Sequence, residues 1–136
     1  RNVAPGPHTA GLPTQSTPGV RALATRFVTQ PRARAIIAEC ESLRVGCLLA
    51  EIGPSEFPAG CLEAVGQITV VWVEPDYRRR GVARRLVQAA EGWFREEGVR
   101  LAELSYLARN PEATAAWERL GYGPLRVVAA RELTPP

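Results

Sequence analysis

The apolar positions of the chain keep two different periods, and the change of period marks the elements. Arg34–Glu39 (RAIIAE) and Leu43–Ile52 (LRVGCLLAEI) read as strands, with Cys40, Glu41 and Ser42 as the hairpin connection between them. Val65–Val73 (VGQITVVWV) is β-branched and aromatic, and apolar on both faces toward its end, which predicts a central strand. From Gly81 to Glu97 the period becomes helical. Val82, Leu86, Ala90, Trp93 and Phe94 share one face, and Arg84, Arg85, Gln88, Glu91 and Arg95 the other, until Gly98 ends the run.

Arg100–Leu107 (RLAELSYL) returns to a strand. Asn110-Pro111 then predicts a helix start, with Asn as the cap and Pro at the first turn, where its missing N–H costs nothing. Ala113, Ala116, Trp117 and Leu120 form the inner stripe of that helix, Gly121 stops it, and Leu125–Leu133 closes as a last strand. Ahead of these elements, residues 1–18 are rich in Pro, Gly and Thr and predict a flexible tail, followed by a short helix over 19–30 and, later, a loop over Gly53–Gly60. The order β-β-β-α-β-α-β gives an α/β domain with a mixed sheet, expected as a single unit over 19–136.

Composition narrows the function classes. Of 136 residues, 46% are hydrophobic and 23% charged, as in an ordinary globular protein, and no apolar run approaches membrane-spanning length. Nor does the N-terminus carry the layout of a secretory signal, so a cytoplasmic setting is expected. Cys40, Cys47 and Cys61 lack Cys-x-x-Cys spacing and read as free thiols. The single histidine, His8, sits in the Pro/Gly-rich tail, which argues against a metal site and against a His-dependent triad. All 17 basic residues are arginine, and five of them crowd into 78–85.

That crowding has a physical use. A central strand, a short turn and a helix opening on a glycine describe an anion site, because the first helical N–H groups have no internal partner and the helix dipole adds positive potential there. Gly81 and Ala83 keep the approach to those amides open, and flanking arginines can clamp phosphate oxygens. An amphipathic helix with a solvated basic face is the alternative. Nucleic-acid binding is disfavoured, since no aromatic residues interleave the charge.

The segment Val71–Leu86 (VWVEPDYRRRGVARRL) resembles the acetyl-CoA-binding motif of the GNAT family of N-acetyltransferases, with Arg78, Gly81 and Ala83 meeting its Arg/Gln-x-x-Gly-x-Gly/Ala pattern. Val45-Gly46, Asn110-Pro111-Glu112-Ala113 and Leu120-Gly121-Tyr122 resemble further family landmarks at family spacing. The resemblance implies a GNAT-like acyl-CoA N-acyltransferase fold, a mixed, mostly antiparallel central sheet flanked by helices. It implies acetyl-CoA as cosubstrate and an amine acceptor as partner. The pyrophosphate should rest on the amides of Arg79, Arg80, Gly81, Val82, Ala83 and Arg84. The pantetheine should pair with the backbone of Val71, Trp72 and Val73, one of whose N–H groups would bind the acyl oxygen, and Asn110 should contact the cofactor.

Two catalytic positions depart from the family pattern. The helix position that holds an acid tyrosine in many relatives is Trp117, and the position of a base glutamate in some is Gln67. Gln67 can orient water without accepting a proton. Glu51, Glu63, Glu103 and Tyr106 are the candidates to fill in, with Tyr106 favoured as the acid. The expected function is N-acetyl transfer to a primary amine of a small molecule or a peptide. The alternative is a catalytically silent acyl-CoA-binding module. A homodimer is left open.

Overall fold

The structure is a computed structural model and describes residues 29–54 and 64–135. The expected 1–18 tail, nearly all of the 19–30 helix and most of the 53–60 loop lie outside these residues, as do His8, Cys61 and Glu63.

Strands β1 (Ala33–Cys40) and β2 (Leu43–Gly53) form an antiparallel hairpin turned by Glu41 and Ser42 alone. Both turn residues have positive φ, 50° and 70°, the backbone twist that a two-residue hairpin requires. Strand β3 (Val65–Val73) pairs antiparallel with β2, and β4 (Ala102–Glu103) pairs parallel with β3. The described sheet is thus mixed and mostly antiparallel, in the order β1-β2-β3-β4.

An irregularity in the β2–β3 ladder decides which side chains of β3 face which layer. Leu49 pairs with Val70 and Ala50 with Ile68, so Thr69 is an extra residue bulging from β3. Because side chains alternate with period two, the bulge inverts the facing of everything after it. Ile68 before the bulge and Val71 and Val73 after it all enter the same core. Val70, on the other parity, is also buried, at 2% exposure. This is why the end of the strand is apolar on both faces.

Helices α1 (Val82–Glu96) and α2 (Pro111–Arg119) cover that core. Ala83, Leu86, Val87, Ala90, Trp93 and Phe94 are the buried stripe of α1, and Ala113, Ala116 and Trp117 that of α2. Gly66 admits α1 to the sheet, since a Cβ there would run into the Phe94 ring. The Tyr122 hydroxyl donates to Glu91 Oε2 at 2.7 Å, joining the end of α2 to the middle of α1. No described helix is long and apolar enough to cross a membrane.

Two expected strands differ from the structure. Only Ala102 and Glu103 of the 100–107 segment pair with a neighbour, because the chain diverges from β3 beyond that point. The 125–133 segment is not part of the described sheet at all, and every residue from 123 to 135 is exposed. Trp72 is half-buried.

Candidate active site

The divergence of β4 leaves β3 with a long edge that is unpaired among the described residues. Parallel pairing stops after Gly66–Ala102 and Gln67–Glu103, although β3 continues to Val73. Glu74 N–H donates to Val45 C=O at 2.7 Å, which fixes the phase of the β2–β3 ladder. In an antiparallel pair successive residues point their backbone groups to opposite sides. Trp72, opposite Cys47, therefore directs its N–H and C=O into the ladder. Val71 and Val73 direct theirs to the open edge. The pairing expected of Val71, Trp72 and Val73 narrows accordingly to the first and third of them.

The open edge runs directly into the arginine loop. A short 3-10 turn, Pro75–Tyr77, leads to Arg78, whose Nε donates to Val73 C=O at 2.8 Å and whose guanidinium lies 4.7 Å over the Trp72 ring. Arg78 is thus folded back across the top of the cleft, and the Val73 carbonyl is engaged. Arg79 and Gly81 adopt positive φ, 65° and 79°. Arg80 turns the other way, its guanidinium 5.3 Å over the Tyr77 ring, and lines a groove on the β1 side of α1 together with Ile36, Val82 and Leu86. Arg79 and Arg84 are exposed.

The two helix starts contrast in chemistry. At α2, Asn110 Oδ1 accepts from Ala113 N–H at 3.0 Å, Pro111 supplies no donor and Glu112 adds an acid to the first turn. That terminus is closed by its own residues. At α1 the cap is Gly81, no side chain bonds the first amides and no acid stands in the first turn. The N–H groups of Val82, Ala83 and Arg84 are left for an external acceptor. A Cβ at Gly81 would meet no protein atom within 4 Å, so the left-handed backbone, and not crowding by the protein, is what demands glycine there. The residues present fit a phosphate diester.

On the sheet face opposite the helices, Glu51, Gln67 and Glu103 are in register across β2, β3 and β4, and all three are half-buried. Directly opposed residues on one sheet face are side-by-side neighbours. The row lies where the cleft begins, two residues from the Thr69 bulge. Sequence reasoning named each of these residues but missed that they align, because register cannot be read from the chain. It missed the bulge as well.

Tyr106 packs against the helical core beyond β4, on the side of Trp117 rather than of the acidic row. Trp117 is 2% exposed and meets Tyr122 edge-on at 5.5 Å. Its Nε1 is buried with no partner among the described residues. Asn110 is half-buried and uses its carbonyl oxygen for the cap, leaving the amide NH2 for other contacts. Cys47, on the face of the acidic row, has its thiol pushed up by burial and, secondarily, by the charge of Glu74.

A sheet split along one edge, continuous with an uncapped glycine-led helix, is the architecture of an acyl-CoA-dependent acyltransferase. The sequence model of the acetyltransferase (GNAT) family matches residues 9–122, and the chain belongs to that family. Its class is that of the acetyl-CoA-dependent acetyltransferases. No curated protein matches the sequence. Among solved structures, the fold is similar to the aminoglycoside antibiotic 6'-N-acetyltransferase AAC(6')-IG from Acinetobacter haemolyticus, with a TM-score of 0.78 at 20% identity, covering 94% of this chain and 88% of that one. It is similar to AAC(6')-Iy in complex with the bisubstrate analogue CoA-S-monomethyl-acetylneamine, with a TM-score of 0.77 at 22% identity over 93% and 90% of the two chains. AAC(6')-Ih from Acinetobacter baumannii gives 0.75 at 21% identity over 90% and 84%.

Proposed function

We propose that the chain moves an acetyl group from acetyl-CoA to a primary amine by direct attack, and that the acceptor carries more than one positive charge. The observation that carries the reading is the continuity of the uncovered β3 edge with the uncapped start of α1. A pantetheine amide can extend the sheet along Val71 and Val73 while the diphosphate reaches the amides of Arg79–Arg84. Structural relatives that act on aminoglycosides, which are polycationic amines, make the acceptor class concrete.

Acetyl-CoA supplies an activated acyl thioester whose thiol, with a pKa of about 8.5, is a competent leaving group. Presenting an alkyl amine of pKa about 10.4 in neutral form at pH 7 costs roughly 4.6 kcal/mol. Glu51 and Glu103 supply the acceptor side with negative charge and with a proton acceptor, directly or through water held by Gln67. The Val71 N–H, fixed by the ladder phase, is positioned to donate to the acyl oxygen as charge develops there. Trp117 cannot replace an acid tyrosine, since an indole N–H donates a hydrogen bond but yields no proton. Tyr106 takes the acid role in this reading, with Asn110 contacting the cofactor through its free amide.

Thiol release from acetyl-CoA, followed with mono-, di- and polyamines, tests the reading. Turnover should rise with acceptor charge, and Glu51→Gln/Glu103→Gln should lower kcat/KM for polyamines by about 100-fold or more. Tight CoA binding with no turnover on any amine would instead establish the silent acyl-CoA-binding module.

A further inference from the structure

Helix α1 does not lie evenly over the sheet. A Cβ on Gly46 would stand 2.9 Å from the Trp72 carbonyl oxygen and 3.3 Å from Val82 Cγ1 and Leu86 Cδ1, so the first turns of α1 come down onto β2. Glycine is what permits that approach. Beside this contact, between α1 and β1, the outermost strand of the described sheet, lies a groove of about 360 Å³. That volume is within the range of small-molecule sites.

Periodicity sets both walls. Ile36 and Ala38 point from β1 toward the helices and pack against the core as half-buried side chains. Val82, Arg85, Leu86 and Ala89 follow the i, i+3, i+4, i+7 spacing along one face of α1. Ala38 and Ala89 are too short to fill the space between the walls, and Val45, at 2% exposure, lies at its base.

The two ends of the groove are unlike. Beyond Ile36 and Ala89, the Arg34 guanidinium stacks over the Trp93 ring at 4.8 Å and bridges β1 to α1. At the other end stand Arg80 and Arg85. The Arg80 guanidinium rests over the Tyr77 ring at 5.3 Å, which orients it without using an N–H group. Neither Arg80 nor Arg85 has an acid partner among the described residues, and Glu39 is the one acid among the described residues lining the groove.

We infer that this groove binds a linear aliphatic carboxylate, with its head group on Arg80 and Arg85 and its chain along Ile36, Ala38, Leu86 and Ala89. A cation is repelled at the mouth, a short carboxylate leaves the apolar walls wet, and an uncharged chain forgoes the charge-assisted hydrogen bonds of two guanidiniums. From Ile36 to Cys40 the strand runs about 13 Å, which suits a chain of medium length. The groove is on the β1 side of α1, whereas the proposed acetyl-CoA cleft follows the β3 edge, so the inference depends on neither acceptor nor turnover.

The test is a titration of the full chain with decanoate, followed by amide chemical shifts, with acetate and decylamine beside it. Decanoate should bind roughly 100-fold more tightly than acetate and about 10-fold more tightly than decylamine, displacing the amides of 36–40 and 85–89. Saturating CoA should leave that binding in place. Arg85→Gln should weaken it about 10-fold. Ala89→Trp, at a second exposed position of α1, should fill the groove and abolish it, and both variants should keep the shift pattern of the rest of the fold. Decylamine binding as tightly as decanoate would overturn the inference. So would displacements centred on Val71, Val73 and 79–84, or complete displacement of decanoate by CoA, since the anion would then occupy the cofactor cleft. Wild-type affinity for decanoate in either folded variant would overturn it too.

Discussion

Replacing Gly81 by alanine separates the two things this position does, holding the backbone and leaving the helix start open. Gly81 has φ 79°, and a Cβ there has no protein atom within 4 Å. Steric exclusion by the protein therefore contributes nothing, and the loss of stability comes from forcing an L-residue into the left-handed region, about 1–2 kcal/mol. On a domain of this size that lowers Tm by roughly 3–10 °C. The loop can relieve the strain by rotating φ to negative values, which swings the amides of Val82 and Ala83 off a common centre. Two charge-assisted hydrogen bonds to the diphosphate, each worth about 1.5–3 kcal/mol, are then lost. That is at least 3 kcal/mol, or about a 100-fold rise in Kd. Calorimetric titration with CoA, beside a thermal melt, reads both numbers. Separately, Asn110→Ala removes the side-chain cap of α2 and should cost about 1 kcal/mol of stability. A Gly81→Ala protein with lowered Tm but an unchanged Kd for CoA would refute the reasoning, because the amides would then not be the phosphate ligands.

Three further outcomes follow from particular contacts. Glu41→Asn/Ser42→Gly places turn residues that tolerate positive φ where the chain now uses two that do not, and should raise stability by about 1–2 kcal/mol in urea unfolding with activity unchanged. The Tyr122 phenol is pushed well above the ordinary tyrosine value, first by burial and then by its hydrogen bond to Glu91. The folded state thus keeps a proton that the unfolded chain gives up, so this contribution is complete below pH of about 10 and is lost as the pH rises beyond it. Tyr122→Phe should flatten that part of the stability-against-pH curve. Finally, Trp117→Phe keeps the ring contact with Tyr122 and removes a buried donor that has no partner among the described residues, so unfolding should shift by less than about 1 kcal/mol, against a loss of about 3–5 kcal/mol for Trp117→Ala.

The elements that carry local signals were legible from the chain. The β1–β2 hairpin, β3, the glycine-led α1 and the Asn-Pro start of α2 stand within a residue or two of their sequence boundaries. Their signals are short-range: alternation, capping chemistry and a change of period. What was not legible depends on pairing between distant parts. Nothing within Val65–Val73 says that Thr69 is extra; the bulge exists because β2 opposes eight residues of its own to nine of β3. Nothing in Arg100–Leu107 says that its pairing ends at Glu103, since the local pattern continues to favour a strand. The alignment of Glu51, Gln67 and Glu103 is likewise a product of register. Leu125–Leu133 shows the same limit from the other side, having the composition of a strand without a partner in its own described sheet. The tie from Arg78 Nε to the Val73 carbonyl is another contact that no local pattern announces.

Backbone amides of one loop and one strand edge are the proposed contacts to CoA, and amide chemical shifts recorded during a CoA titration test this residue by residue. Saturating CoA should produce the largest displacements at Arg79–Arg84 and at Val71 and Val73, with Trp72, whose amide points into the β2 ladder, moving far less. Equal movement along the whole of β3, or binding whose displacements avoid the 79–84 amides, would contradict it.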